Sequence, residues 1–457
     1  MEPPPLEVGM EGRIWSCHWI KRQLMLQKLL LPFVVVLLLA SCSPAAKIQR
    51  SAETNVLQSG ALRNAHVGIS VFDADAGRYL FNYQGDKYFV PASNTKLPTC
   101  YAAMKFLGDS LPGIMVADLG ESLLLIPTGD PTLLHADFAQ QPVLDFLKQI
   151  KKPLIGFTAN WEDSGWGNGW SWNDYTATYM AERSALPVYG NVVTFSGNAG
   201  ALQVMPNSLL QKGSVKIKGS GFVSDVDRDY RNNDFSLTMN GRINRAVEAP
   251  FVPGPQLSWQ LLADTLHKAI RVAEHKSDAV GTSYIIHSQP LDSMLKRMMH
   301  RSDNFYAEQS LLMVSQKLLG VMNDRKVIDT LMQMIYGDLP QRPRWVDGSG
   351  LSRYNLFSPQ DFVTILNKMR TDFGMERMKE ILPTGNTGTL TNYYRTETGL
   401  IFAKTGTLSG VVSISGYLYT LKNKLLIFSL LVNNHNTSAT EVRRAVEKFL
   451  QDLRARY

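Results

Sequence analysis

The chain has 457 residues, of which 44% are hydrophobic and 19% charged, with a formal net charge of +7. This composition belongs to a globular protein long enough for more than one core, and it excludes collagen-like, coiled-coil and wholly disordered architectures. Three cysteines, Cys17, Cys42 and Cys100, make no disulfide framework. No Cys or His spacing reads as a zinc site, so no metal and no cofactor are expected. The basic residues are dispersed rather than gathered into a nucleic-acid-binding face.

In chain order, residues 1–42 read as a leader. "KRQLMLQK" supplies positive charge, and "LLLPFVVVLLLA" is an apolar run shorter than the ~20 residues a spanning helix needs. Leu39-Ala40-Ser41-Cys42 resembles a bacterial lipobox. Cleavage before Cys42 leaves that cysteine to carry lipid and predicts an exported, periplasm-facing protein held to a membrane. A plain signal peptide with an incidental cysteine is the alternative reading. Met25 is a natural start for such a signal. Residues 43–60 are small and polar and read as a tether. With 1–42 processed, Cys42 included, by lipidation or removal, Cys100 is the lone free thiol, and its setting predicts a small buried hydrophobe.

"HVGISVFDADAGRYLFNY" (66–83) alternates apolar and polar residues around a turn at Asp75, Ala76 and Gly77, which predicts a β-hairpin. "SNTKLPTCYAAMKFL" (93–107) predicts a helix with Ser93 near its start; Pro98 is compatible only with the first turns. Residues 108–282 are rich in Gly, Asn, Trp and short β-like runs and predict inserted β-rich domains. Within them stands "NWEDSGWGNGWSWNDY" (160–175). "LIFAKTGTL", "VVSISGYLYT" and "KLLIFSLLVN" predict three C-terminal strands, followed by an amphipathic helix in "SATEVRRAVEKFLQDLRA". Both chain ends therefore build one α/β unit of the α+β type around an antiparallel sheet. It is assigned to 61–107 and 283–457.

Three short patterns fall on these elements. Ser93 and Lys96 stand three apart at a helix start. Ser302-Asp303-Asn304 lies at a loop or helix start, and Lys404-Thr405-Gly406 lies on a strand. Ser93 and Lys96 share a helical face, so the amine reaches the hydroxyl. To act as a base, Lys96 must be neutral, through burial or a second cation such as Lys404. Ser302 is then placed to relay a proton from Lys96 to a leaving amine, and Asn304 to bond a substrate amide. Lys404 suits a substrate carboxylate, with the Thr405 and Thr407 hydroxyls beside it. Gly406 lets the strand approach the substrate, and the amides of Ser93 and Thr407 form an oxyanion hole. Each piece is common alone: Ser293/Lys296 and Ser196-Gly197-Asn198 are spare copies of the first two. Capping by Ser93, an ordinary helix start at Asp303-Asn304 and an edge-strand charge at Lys404 are the plain alternatives. The joint order argues against them.

These three motifs are those of penicillin-binding proteins and class A β-lactamases. Further segments narrow the resemblance: "TGDPTL" (128–133), "HSQPLDSML" (287–295), "DGSGLSRYN" (347–355), "LPTGNTGTL" (382–390) and "AKTGTLSGVVSISGY" (403–417). With them the chain resembles the class C low-molecular-mass penicillin-binding proteins, the D-alanyl-D-alanine carboxypeptidase/endopeptidases. The long insertion directly after Ser-x-x-Lys is that family's hallmark. The resemblance implies a transpeptidase-like domain acting on peptidoglycan stem peptides, with β-lactams as covalent inhibitors. It implies Ser93 as acylated nucleophile, Lys96 as base, and Ser302, Asn304, Lys404, Thr405 and Gly406 in the other motifs. It also implies Arg353 near the substrate, and Asp163 meeting the amine of the peptide's diamino acid. Ser409 stands where some relatives carry a longer amide side chain. Competing functions are a non-catalytic peptidoglycan-binding lipoprotein and a β-lactamase of the same fold.

Overall fold

The structure, a computed structural model, describes residues 1–2, 44–198, 201–211, 215–219, 225–239, 242–273 and 282–457. The leader and Cys42 lie outside the described residues. The first element is helix α1 (Pro44–Ala52), continued by a wider helical turn over Glu53–Leu57. This corrects the polar tether expected over 43–60. Ile48, Ala52 and Val56 recur at every fourth position, so they share one helical face, and all three are buried. That stripe packs in one cluster with Val446, Phe449 and Leu450 of the C-terminal helix, and Ser51 and Asn55 both donate to the Asp452 carboxylate.

Strands β1 (His66–Asp73) and β2 (Arg78–Tyr83) form the expected hairpin. A short helical turn over Ala92–Thr95 leads into α2 (Lys96–Phe106), with Pro98 in its first turn, where the ring removes no helical hydrogen bond. Cys100 is buried on α2, and burial pushes its thiol pKa up.

The insertion begins with β3 (Ser110–Asp118), β4 (Leu123–Pro127), α3 (Pro142–Gln149) and β5 (Leu154–Phe157). Next come β6 (Val192–Asn198), β7 (Ala201–Met205), β8 (Val215–Gly219), β9 (Asp225–Arg228), β10 (Phe235–Met239) and β11 (Arg242–Pro250). It closes with α4 (Pro255–Leu266), β12 (Ile270–Ala273) and β13 (Ser283–Pro290). One mixed sheet runs in the order β12-β5-β4-β3-β13, and two three-stranded sheets run β11-β6-β7 and β8-β10-β9. A single apolar cluster joins Ile114 and Leu125 of the mixed sheet, Phe195 and Phe235 of the small sheets, and Trp259 and Leu262 of α4. The insertion is β-rich, and its three sheets share one main cluster, with Ala117, Leu124, Ile155 and Phe157 in a second, smaller one. Its sheet also reaches past residue 282, because β13 pairs with β3.

The chain returns through α5 (Leu291–Arg301), α6 (Asn304–Leu319), α7 (Asp324–Met334), α8 (Pro359–Phe373) and α9 (Met375–Ile381). Strands β14 (Ile401–Leu408), β15 (Val411–Tyr419) and β16 (Leu425–Asn433) and helix α10 (Ala439–Arg456) complete it. The main sheet is antiparallel, ordered β14-β15-β16-β1-β2, so the two chain ends meet at β16 and β1. Residues of β16 alternate between two cores: Leu426, Phe428, Leu430 and Val432 face α1 and α10, while Ile427 and Leu431 face α2, α6 and α8. Helices cover both faces, which is why these strands read as continuous apolar runs. Among the described residues, no helix is long and apolar enough to cross a membrane.

Candidate active site

Three joints in this fold converge. Ser93 lies in the turn just before α2, preceded by Ala92 at φ +48°, a left-handed conformation that costs a non-glycine residue energy. The segment 347–350 holds that turn in place. Gly350 has φ +82°, and a Cβ there would lie 1.8 Å from the Ala92 carbonyl oxygen, so the close approach requires glycine. Ser302 is the left-handed residue that ends α5, and Asp303 caps α6 by accepting from the Tyr306 amide at 3.1 Å. The plain helix-start reading of Asp303 is thus also true, and it is what presents Ser302 and Asn304 side by side. Lys404 sits on edge strand β14, fully buried.

Lys96 Nζ donates to Ser93 Oγ at 3.0 Å, to Asn304 Oδ1 at 2.6 Å and to the Ser349 carbonyl at 2.8 Å. Lys404 Nζ donates to Ser302 Oγ at 2.9 Å. Ser93, Ser302, Asn304, Thr407 and Arg353 line one open cleft of ≈ 790 Å³, so the first and second motifs, the third-motif strand and Arg353 are brought together. Arg353 also donates to the Ser409 carbonyl at 2.8 Å, tying the 347–355 loop to the end of β14. A Cβ at Gly406 would fall 2.8 Å from the Ser93 amide nitrogen and 2.3 Å from Ser413 Oγ, so only glycine permits β14 to lie against the Ser93 turn. Thr405 stands next on the same strand, and its carbonyl accepts from Lys404.

Burial dominates the electrostatics. Removal from water lowers the Lys96 pKa to about 8, against the opposing pull of Asp347, Glu308 and Asp303. Lys404 is held well below an ordinary lysine, first by burial and then by the charge of Lys96. Burial is the first cause at both amines; the sequence suggested either burial or Lys404 as what depresses Lys96. Glu308 is also buried, its pKa raised to about 7 by burial and then by Asp347.

Two further expectations change. Ser302 is bonded to Lys404, so the hydroxyl expected to relay from Lys96 is served by the other lysine. Asp163 lies away from the cleft. Its carboxylate is 2.9 Å from Arg183 and accepts from the Asp324 amide at 2.7 Å, with 7% of its side chain exposed. It is spent in a buried network with Arg183, Glu308 and Asp324, so it does not stand at the substrate position the resemblance implied. From the tryptophan-rich segment it is Trp170 and Asp174 that line the cleft. Of the spare motifs, Lys296 is exposed and paired with Glu380 at 2.6 Å.

Several partners had no sequence signal. The Ser349 carbonyl that receives Lys96 is backbone, as is the Tyr179 carbonyl, which accepts from Asn304 Nδ2 at 2.9 Å. Glu308 accepts from the Ser349 amide at 2.7 Å, one peptide away from Lys96. Arg443 of α10 donates to Thr407 Oγ1 at 2.6 Å. Asn94 sits beneath β14, its nitrogen 2.9 Å from the Lys404 carbonyl and its oxygen 2.7 Å from Ser415 Oγ.

Comparison with known proteins points to one family. The model of the D-Ala-D-Ala carboxypeptidase 3 (S13) family matches residues 49–453. The chain is 23% identical over 430 residues to the D-alanyl-D-alanine carboxypeptidase DacB of Haemophilus influenzae, covering 82% of this chain and 87% of that one. It is 25% identical over 435 residues to the D-alanyl-D-alanine carboxypeptidase of Actinomadura sp. (strain R39), covering 84% and 80%. In fold it resembles penicillin binding protein 4 (dacB) from Haemophilus influenzae, with a TM-score of 0.67 at 19% identity over 89% of this chain and 98% of that one.

Proposed function

The chain belongs to the D-Ala-D-Ala carboxypeptidase 3 (S13) family and is a serine-type DD-peptidase; from that premise we propose how its residues divide the work. Lys96, neutral, takes the proton of Ser93 as Oγ attacks the carbonyl carbon of the penultimate D-alanine of a peptidoglycan stem peptide. The amides of Ser93 and Thr407 face the oxyanion that forms. Lys404 and the Thr405 and Thr407 hydroxyls bind the terminal carboxylate. The leaving amine takes its proton from Ser302, which Lys404 resupplies. Water then hydrolyses the Ser93 ester: Lys96 returns its proton to Ser93 Oγ, and the proton that water loses recharges Lys404 through Ser302. Asn304 holds Lys96 in place through Oδ1 while fixed to Tyr179 through its nitrogen. Arg353 borders the same cleft. β-Lactams acylate Ser93 by the same attack.

One observation carries this reading: a fully buried Lys96 amine, with its pKa lowered to about 8, stands 3.0 Å from the Ser93 hydroxyl. The experiment is D-alanine release from a stem pentapeptide by the purified protein. Release that Ser93→Ala abolishes supports the assignment; undiminished release by Ser93→Ala removes it.

The substrate lies outside the cytoplasm, and residues 1–42 serve as the export leader with Cys42 as lipid carrier. Because α1 begins at Pro44, an anchor at Cys42 leaves almost no slack between membrane and domain. Metabolic labelling with a palmitate analogue, with and without Cys42→Ala, tests the anchor.

A further inference from the structure

Strand β14 turns its two faces to different tasks. Side chains alternate along a strand, so Lys404, which reaches Ser302, and Gly406, which lies against the Ser93 turn, share one face. Thr405 and Thr407 share the other. On that side the strand meets helix α10. Val442 and Val446 of α10 are buried in one cluster with Val412 and Ile414 of β15, and between them Arg443 extends toward β14. Arg443 and Thr405 line the same small space of ≈ 20 Å³, and Arg443 Nη2 donates to Thr407 Oγ1 at 2.6 Å.

The guanidinium is held there without being neutralised. Its carbon lies 5.9 Å from the centre of the Tyr393 ring, and among the described residues it forms no ion pair. The two carboxylates near it on α10 are engaged elsewhere. Glu441 accepts from the Ser438 amide, and Glu447 pairs with Arg444 and accepts from the Tyr394 amide. A hydroxyl has one proton to give and two lone pairs to offer. Because Arg443 donates to the Thr407 oxygen, the Thr407 proton is left for an acceptor in the Ser93 cleft, which Thr407 lines.

Resting on the DD-peptidase reading, we propose that Arg443 is a positioning residue of the carboxylate subsite: it turns the Thr407 hydroxyl toward the substrate's terminal carboxylate and supplies a positive charge that persists through the reaction. Lys404 does not suffice for the second task. It gives its proton to Ser302 as the amine leaves, and burial, Lys96 and Arg443 all disfavour its charged form. Arginine keeps its proton throughout. A carboxylate that accepts from Thr407 stands about 5 Å from the guanidinium, two hydrogen bonds away and well inside a Debye length. The site therefore favours substrates and inhibitors with a free carboxylate beside the scissile amide over those whose carboxylate is masked.

The test compares Arg443→Leu and Arg443→Lys with the wild type. Acylation rates are measured with benzylpenicillin and with its methyl ester, and D-alanine release with a stem pentapeptide. The ester carries no charge at this position, so its acylation reports the Ser93 machinery and the fold alone. Arg443→Leu is expected to slow acylation by benzylpenicillin about tenfold and to raise KM for the pentapeptide by a similar factor, with kcat and the ester rate changed less than about twofold. Arg443→Lys keeps the charge and is expected to recover at least about half of the wild-type rate on benzylpenicillin. Equal loss on acid and ester, wild-type rates in Arg443→Leu, a wild type that takes the ester as fast as the acid, or an Arg443→Lys protein no better than Arg443→Leu overturns the inference while leaving the peptidase reading intact. A wild type that neither acylates nor releases D-alanine instead overturns the peptidase reading, and this inference with it.

Discussion

Replacing the base tests the chemistry at its root. An ordinary lysine with a pKa of 10.5 is neutral in only about 0.03% of molecules at pH 7, whereas at a pKa of about 8 the fraction is roughly a tenth. Burial of Lys96 therefore enlarges the reactive population by about 300-fold, equivalent to about 3 kcal/mol. Below the pKa the neutral fraction falls tenfold per pH unit, so activity is lost as pH drops through about 8 and levels off above it. Arginine at position 96 keeps the reach and the charge but cannot lose its proton. Lys96→Arg is expected to lower the acylation rate by ~10²–10⁴, the usual worth of a positioned base. Glu308 raises the Lys96 pKa through its charge, so Glu308→Gln moves the midpoint of the acid limb downward. The assay is the second-order rate of acylation by a fluorescent penicillin from pH 5 to 10. A wild-type midpoint near 10, an upward shift in Glu308→Gln, or a Lys96→Arg protein that acylates at the wild-type rate refutes the reasoning.

Three other expectations concern packing. Gly406→Ala puts a methyl group 2.8 Å from the Ser93 nitrogen and 2.9 Å from the Pro91 carbonyl, so acylation falls by at least ~10²-fold, the cost of misplacing an oxyanion donor, while circular dichroism stays unchanged. Arg183→Leu leaves Asp163, Glu308 and Asp324 as neighbouring buried or half-buried carboxylates without their cation. A loss of about 3–5 kcal/mol is expected in denaturant unfolding. A chain beginning at residue 61 uncovers Phe449 and Leu450 by removing Ile48, Ala52 and Val56. Its melting temperature drops well below that of a chain beginning at residue 43.

What the sequence disclosed divides along physical lines. Ser93 with Lys96, Ser302 with Asn304, and Lys404 with Gly406 are legible because each pair is close in the chain and its element fixes its geometry. The apolar runs of β1, β14, β15 and β16, short and set between turn residues, declare a sheet, since strand signals are local. The partners of Lys96 stayed hidden. The Ser349 carbonyl is backbone, and a backbone acceptor has no letter in a sequence. The resemblance implied a substrate position for Asp163, but Arg183, twenty residues on, and Asp324 decide its environment. Helix α1 carries only a faint signal: Ile48, Ala52 and Val56 form a four-residue repeat, but two of the three residues are small or modest in size and polar neighbours surround them. The contact of Arg443 with Thr407 could not be read at all, because helix α10 and strand β14 meet only in the fold.

The most direct measurement is the mass of the intact protein after incubation with benzylpenicillin, followed by peptide mapping. The account predicts a single penicilloyl adduct on the peptide containing Ser93, lost in Ser93→Ala. An adduct on any other residue, or one that persists in Ser93→Ala, contradicts it.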